Sequence, residues 1–176
     1  MVPFFPPPAA STMKPAQHPN ALRIQQLLDQ AGLTRQVVEF DQPTRSSAEA
    51  AAAIGCQVGE IAKSVVFRSK PDGQAVIIVA SGDNRVCEDK VAARLACRLG
   101  RANADFVREK TGYVIGGVAP LGHAEPARLL LDADLQAYAT LWAAAGTPNS
   151  VFPLSPEELA RITGAEWADI KVGSPS

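Results

Sequence analysis

Lys63 stands where the helix-like segment Gly59-Glu60-Ile61-Ala62 gives way to Ser64-Val65-Val66-Phe67, a β-rich apolar run. A long cation at the head of such a run must either snorkel into water or face a polar pocket. Lys63 is therefore a candidate for holding an anion or a developing charge, with a plain strand-end lysine as the alternative. Further on, Thr111-Gly112-Tyr113-Val114-Ile115-Gly116-Gly117-Val118-Ala119-Pro120-Leu121-Gly122-His123 sets four glycines in an otherwise apolar stretch. Glycine lets backbone amides approach a ligand closely and Pro120 stiffens the chain. The N–H groups from Gly116 to Ala119 are thus expected to face an anion or oxyanion, unless the glycines only turn a buried loop.

Ser81-Gly82-Asp83 closes a second β-rich run, where a hydroxyl and a carboxylate can bind ribose hydroxyls or an amino group; an ordinary polar turn is the alternative. Lys90, Arg94, Arg98 and Arg101 recur at helical spacing beside Val91, Leu95 and Leu99. They predict a basic stripe able to follow a phosphate backbone, although Glu88 and Asp89 dilute it and a solvated face is the favoured alternative.

Several chemistries are excluded. Cys56, Cys87 and Cys97 form no CxxC pair, and only His18 and His123 could join them, so no metal site is expected. Two histidines and no G-x-S-x-G elbow leave little material for a nucleophilic triad. Phosphate-binding and dinucleotide-binding glycine motifs are absent as well, so no cofactor is expected.

The chain of 176 residues is long enough for one core without staples, and its formal net charge of −1 requires any nucleic-acid contact to be a local patch. No apolar run approaches the roughly 18 residues of a membrane span. An odd thiol count without a recognisable secretion signal fits a reducing cytoplasm. Residues 1–19, rich in proline, are expected to form a flexible tail, 20–172 the domain, and 173–176 a short tail.

Within 20–172, Asn20 is expected to cap a first helix ending at Gly32, and Ser46 with Glu49 a second ending at Gly55. Lys63–Ser69 and Gln74–Ser81 flank Pro71-Asp72-Gly73 and read as a hairpin. Helices are expected from Glu88 to Leu99 and from Asn103 to Lys110. Short strands are expected at Val37–Phe40, Arg128–Leu131, Thr140–Ala145, Ser150–Phe152 and Trp167–Ile170. A helix opened by Ser155-Pro156-Glu157-Glu158 precedes Gly164. Hairpins mixed with helices, without a strict βαβα rhythm, predict an α+β domain around a twisted mixed sheet with flanking helices.

Ile61-Ala62-Lys63-Ser64, Ser81-Gly82-Asp83, Thr111-Gly112-Tyr113 with Gly116-Gly117-Val118-Ala119-Pro120, Ala145-Gly146, and Leu154 to Leu159 followed by Thr163-Gly164 occur in an order that resembles the YbaK/ProX family. These are free-standing relatives of the editing domain inserted in bacterial prolyl-tRNA synthetases. The resemblance implies a deacylase that acts on the aminoacylated 3′ end of tRNA, with an aminoacyl-tRNA synthetase as a possible partner and no role for DNA or membrane. It implies Lys63 as the main active-site residue and maps the family's Gly-x-x-x-Pro segment onto Gly116 to Pro120. The expected catalytic set is Lys63, Gly116, Gly117, Asp83 and His123. Thr44, Arg45, Ser81, Gly82, Val118, Ala119, Pro120 and Gly146 are expected to bind substrate. Relatives that remove cysteine carry Pro-Gly-Asp where this chain has Ser81-Gly82-Asp83, so alanyl or other small aminoacyl groups are equally expected. A non-catalytic tRNA- or synthetase-binding module and a small-molecule hydrolase are the rival readings.

Overall fold

The computed structural model describes residues 13–173; the proline-rich segment 1–12 and residues 174–176 lie outside the described residues. Part of the expected tail is built into the sheet, because strand β1 (Lys14–Pro15) pairs with β2 (Val38–Glu39). Helix α1 (Pro19–Gln30) starts one residue before the expected cap: His18 accepts the Asn20 N–H at 3.0 Å, and Pro19 takes the first turn, where a missing N–H costs nothing. Asn20 is thereby free to donate its side-chain amide to the Gly146 carbonyl, 3.2 Å away.

Helix α2 (Ser47–Ile54) has the expected Ser46 cap and stops at Gly55 with φ +86°, a left-handed conformation that glycine adopts without strain. A 3₁₀ turn at Val58–Glu60 leads into β3 (Ile61–Lys70), which forms the expected hairpin with β4 (Ala75–Ser81). The remaining elements are α3 (Glu88–Leu95), β5 (Arg98–Arg101), α4 (Ala104–Thr111), β6 (Arg128–Asp132), β7 (Leu141–Ala144), β8 (Ser150–Leu154), α5 (Pro156–Thr163) and β9 (Glu166–Ala168). The capping box of α5 forms as its sequence predicts, with Ser155 and Glu158 satisfying each other's backbone amides.

The strands make one mixed sheet in the order β1-β2-β8-β7-β3-β4-β6-β9. Pairs β3–β7, β4–β6 and β6–β9 are parallel and the rest antiparallel, in agreement with the expected α+β class. Every residue of β4 is buried, so the sheet is covered on both faces. One face carries Ala62, Val66 and Val79 into a large core with α1, α4 and α5, and the other sets Val76, Ile78 and Ala80 against α3.

Strand β3 is shared. Its start pairs with β7 at Ile61 and Ala62, its end pairs with β5 from Phe67 to Lys70, and between them the sheet forks. That arrangement corrects the predicted helix from Glu88 to Leu99. The helix stops at Leu95, Ala96 takes φ +52°, and Arg98 to Arg101 become a strand. Pairing with the β3 tail overrides the helical periodicity of this segment.

Ala96 occupies the left-handed region at a cost of about 1–2 kcal/mol, against about 0.5–1 kcal/mol for the greater freedom of an unfolded glycine. Ala96→Gly is therefore expected to stabilise the domain by roughly 0.5–1 kcal/mol, read as a higher urea midpoint. An unchanged or lower midpoint would show that this turn is unstrained.

Candidate active site

Three loops converge beside the fork. The segment after β2 is tied to the β7–β8 turn by Thr44, whose backbone N–H donates to Pro148 O at 2.9 Å, and by Phe40, whose N–H donates to Asn149 O at 2.7 Å. The glycine-rich loop reaches the same turn by steric fit. A Cβ on Gly117 would lie 2.7 Å from the Thr147 carbonyl carbon and 2.8 Å from its Cα, so only glycine allows this contact between backbones. Behind the loop, the hydroxyl of buried Tyr113 donates to Leu121 O at 2.8 Å, and Arg23 of α1 donates to Gly122 O at 2.6 Å.

These loops, the start of α2 and the first residues of β3 enclose a cavity of about 850 Å³. That volume suits a ligand larger than an amino acid, since small-molecule sites span roughly 300–1,000 Å³. Thr44, Arg45, Lys63, Gly82, Gly116 and Val118 line it, which brings six of the expected site residues to one space.

Lys63 lies on the sheet face of Ile61, and among the described residues no carboxylate comes within ion-pairing distance of its ammonium. Burial lowers its pKa below the ordinary lysine value of 10.5, while the nearby charges of Asp132 and Asp83 pull it back up. Asp132 is held as a buried acceptor by the Ser81 N–H at 3.0 Å, the Asn84 amide at 2.7 Å and the Asp134 N–H at 2.9 Å. The result is a half-buried cation, stabilised from behind and open toward the cavity, suited to an incoming negative charge.

The other expected residues sit outside the cavity wall. Gly117 donates its N–H to Val114 O at 2.9 Å, which commits that amide to a turn; among the described residues the N–H groups of Gly116 and Val118 have no such partner. Ser81 donates its hydroxyl to Gly59 O at 2.8 Å and is buried, and the Asp83 carboxylate packs beside Gly59. Ala119 and Pro120 are buried behind the loop, and Gly146 packs against the Tyr113 ring. His123 is turned away: its Nε2 lies 2.8 Å from Ala119 O, its ring meets Tyr113 edge-on, and burial lowers its pKa. Apart from the exposed Asp83, these residues shape the wall from behind.

The predicted basic stripe dissolves. Lys90 pairs with Asp169 at 3.0 Å and Arg94 with Glu166 at 2.8 Å. Arg98 moves to β5, where it lies opposite Lys70 and on the same ribbon face as Arg68, and Arg101 lies across from Phe67. Arg68, Lys70, Arg98 and Arg101 are all exposed and enter no ion pair among the described residues, so the basic surface is a two-stranded ribbon. Other lining residues were not among the expected site residues, among them Ser47, Ile115, Trp142, Thr147 and Pro148. Ser47 lies one residue past a predicted helix cap and Ile115 within the glycine-rich stretch, whereas Trp142, Thr147 and Pro148 carried no signal of a site.

A family model described as the aminoacyl-tRNA editing domain matches residues 41–162. The uncharacterized protein YwhH of Bacillus subtilis is 34% identical over 135 residues, 76% of this chain and 85% of YwhH. A proposed Cys-tRNA(Pro)/Cys-tRNA(Cys) deacylase of Enterococcus faecalis, EbsC, is 24% identical over 89% of this chain and 95% of its own length. The crystal structure of a proposed trans-editing enzyme for prolyl tRNA synthetase superposes with a TM-score of 0.84 at 42% identity, covering 90% of this chain and all of the other.

The two adjacent glycines are separable by stability. Gly117→Ala drives a methyl group into backbone and is expected to cost roughly 1–3 kcal/mol. Gly116→Ala, at φ +90° with nothing within 4 Å of its Cβ position, carries only the left-handed penalty of about 1–2 kcal/mol. Urea unfolding of both variants checks the order; a Gly117→Ala protein as stable as wild type would show that the loops are not in contact.

Proposed function

The chain belongs to the aminoacyl-tRNA editing domain family, and on that premise we propose that it is a trans-acting deacylase that hydrolyses the ester of a mischarged tRNA. The observation that carries the reading is the single cavity shared by the Lys63 ammonium and the free amides of Gly116 and Val118. An aminoacyl ester is already activated, so positioning and electrostatics suffice for its hydrolysis without a protein nucleophile.

In this scheme the 3′-terminal adenosine and its aminoacyl group enter the cavity with the ester carbonyl oxygen toward Gly116, Val118 and Lys63. Attack by water produces a tetrahedral oxyanion, which the two amides and the ammonium stabilise. Collapse breaks the bond to the ribose oxygen, which takes the proton given up by water, and amino acid and tRNA depart. One oxyanion donor is worth about 3 kcal/mol in comparable sites. Alanines 48, 50, 62 and 144 line the space together with Trp142, which favours a small aminoacyl group such as alanine or cysteine, on tRNA(Pro) or a related tRNA.

Incubation with alanyl, cysteinyl, seryl and threonyl esters on more than one tRNA tests the proposal directly. A binding module would protect every ester, and a small-molecule hydrolase would show no tRNA preference. Lys63→Ala is expected to fold and to lose at least 100-fold in kcat/KM, on the order of one oxyanion contact. The wild-type rate, corrected for spontaneous hydrolysis, should fall as pH rises through the Lys63 pKa, at an inflection below 10.5, because only the ammonium stabilises the oxyanion. A rate that climbs through this range would assign Lys63 as a base instead.

The β3–β5 ribbon gives the tRNA backbone a place to lie. Arg68 is five residues from Lys63 along one strand, about 17 Å at 3.3 Å per residue. Exchanging Arg68, Lys70 and Arg98 together for Gln should weaken tRNA binding and flatten its salt dependence by roughly two units in log K against log salt. An unchanged slope would leave the ribbon without a role in binding.

A further inference from the structure

The fork in the sheet leaves Ser64 and Val66 of an interior strand outside the two registers that share their edge, and Ser64 adjoins Lys63. Register and hydrogen bonds fix the phase of β3. The Ile61 carbonyl accepts from the Gly82 N–H at 2.8 Å, and the Ser69 N–H donates to Gln74 O at 2.8 Å, with continuous register between. Odd-numbered residues of β3 therefore direct their N–H and C=O groups at β4, and even-numbered residues direct theirs at the opposite edge. On that edge Ala62 is taken by β7, and pairing with β5 begins at Phe67. Ser64 and Val66 fall between them, and of the two Ser64 lines the cavity.

Among the described residues, neither the N–H nor the C=O of Ser64 enters a backbone pair, and its buried hydroxyl has no hydrogen-bond partner. Ala62, Ser64 and Ala144 all line the cavity, so the unpaired edge is part of its wall. Unpaired backbone groups at a buried edge are rare because each forfeits a hydrogen bond to water, and a ligand that replaces that bond is favoured.

We propose that the Ser64 N–H and C=O form a subsite for the adenine of the 3′-terminal nucleotide. An adjacent donor and acceptor on one strand edge match the adenine edge that carries the N6 amino group beside a ring nitrogen: N6–H donates to Ser64 O, and N1 or N7 accepts from the Ser64 N–H. Backbone groups are the same whatever side chain occupies position 64, so they suit the part of the substrate that is common to every charged tRNA. Side chains around the cavity remain available to read the amino acid.

This inference rests on the deacylase reading for its substrate, and two measurements separate the fates of the two. In the ¹⁵N-labelled full chain, titration with adenosine 5′-monophosphate should move the Ser64 amide resonance saturably. Purine riboside 5′-monophosphate, which lacks the N6 amino group, should bind roughly tenfold more weakly, the worth of one hydrogen bond. A Ser64 amide that stays still, or equal affinity for the two nucleotides, overturns the subsite. With mischarged tRNA, a terminal purine riboside should lower kcat/KM roughly tenfold relative to terminal adenosine; equal rates also overturn it. If no tRNA ester is cleaved while the Ser64 amide responds to adenosine 5′-monophosphate as described, the deacylase reading fails and the adenine subsite stands.

Discussion

A β-strand has two edges, and β3 must divide one of them between partners that run in opposite senses. β7 lies parallel to its first residues and β5 antiparallel to its last, so the two cannot meet in a continuous ladder. The break they leave is the opening in which the cavity forms. Lys63 enters that space from one face of the strand and Ser64 offers its edge, so adjacent residues serve one site in different ways. The surrounding structure closes the break with three loops instead of a strand, and loops have the conformational freedom a binding wall needs.

Charge at the site follows the same geometry. The Lys63 ammonium is partly desolvated, yet it is spared outright ion pairing because Asp132 spends its oxygens on Ser81, Asn84 and Asp134. A carboxylate in direct contact would have neutralised the cation; one held at a distance keeps it charged without quenching it. Elsewhere Lys90, Arg94, Lys110 and Lys171 are each matched with an acidic partner, whereas the exposed Arg68, Lys70, Arg98 and Arg101 of the β3–β5 ribbon enter no ion pair among the described residues. A nearly neutral chain thus presents a basic surface by placement and not by excess.

Much of this was legible in the residues. Caps and stops such as Ser46, Gly55, Ser155 and Gly164 mark helix ends because their chemistry acts within four residues, and the central hairpin is announced by its turn. Lys63 and the glycine-rich loop stood out because their residue types are unusual for their surroundings. Long-range pairing was invisible. Arg98 to Arg101 have helical periodicity but are claimed by the tail of β3, and no local signal could report a partner about thirty residues away. His123 was attractive as a residue type, yet its ring is spent on packing and on a hydrogen bond behind the wall, and the exposed Asp83 lies outside the cavity lining. Trp142, Thr147 and Pro148 reach the cavity only through the fold, and nothing in their immediate sequence marks them.

The brace that α1 provides has a consequence for where this domain begins. The family model matches from residue 41, and every residue that lines the cavity lies beyond that point. Yet Asn20 fastens the Gly146 turn, Arg23 clamps Gly122, and Ile24 and Leu28 are wholly enclosed in the main core. A fragment cut where the family model's match begins would keep all the lining side chains and lose the splint that holds two of the loops in place. The span that the family model matches is therefore smaller than the span that must fold together.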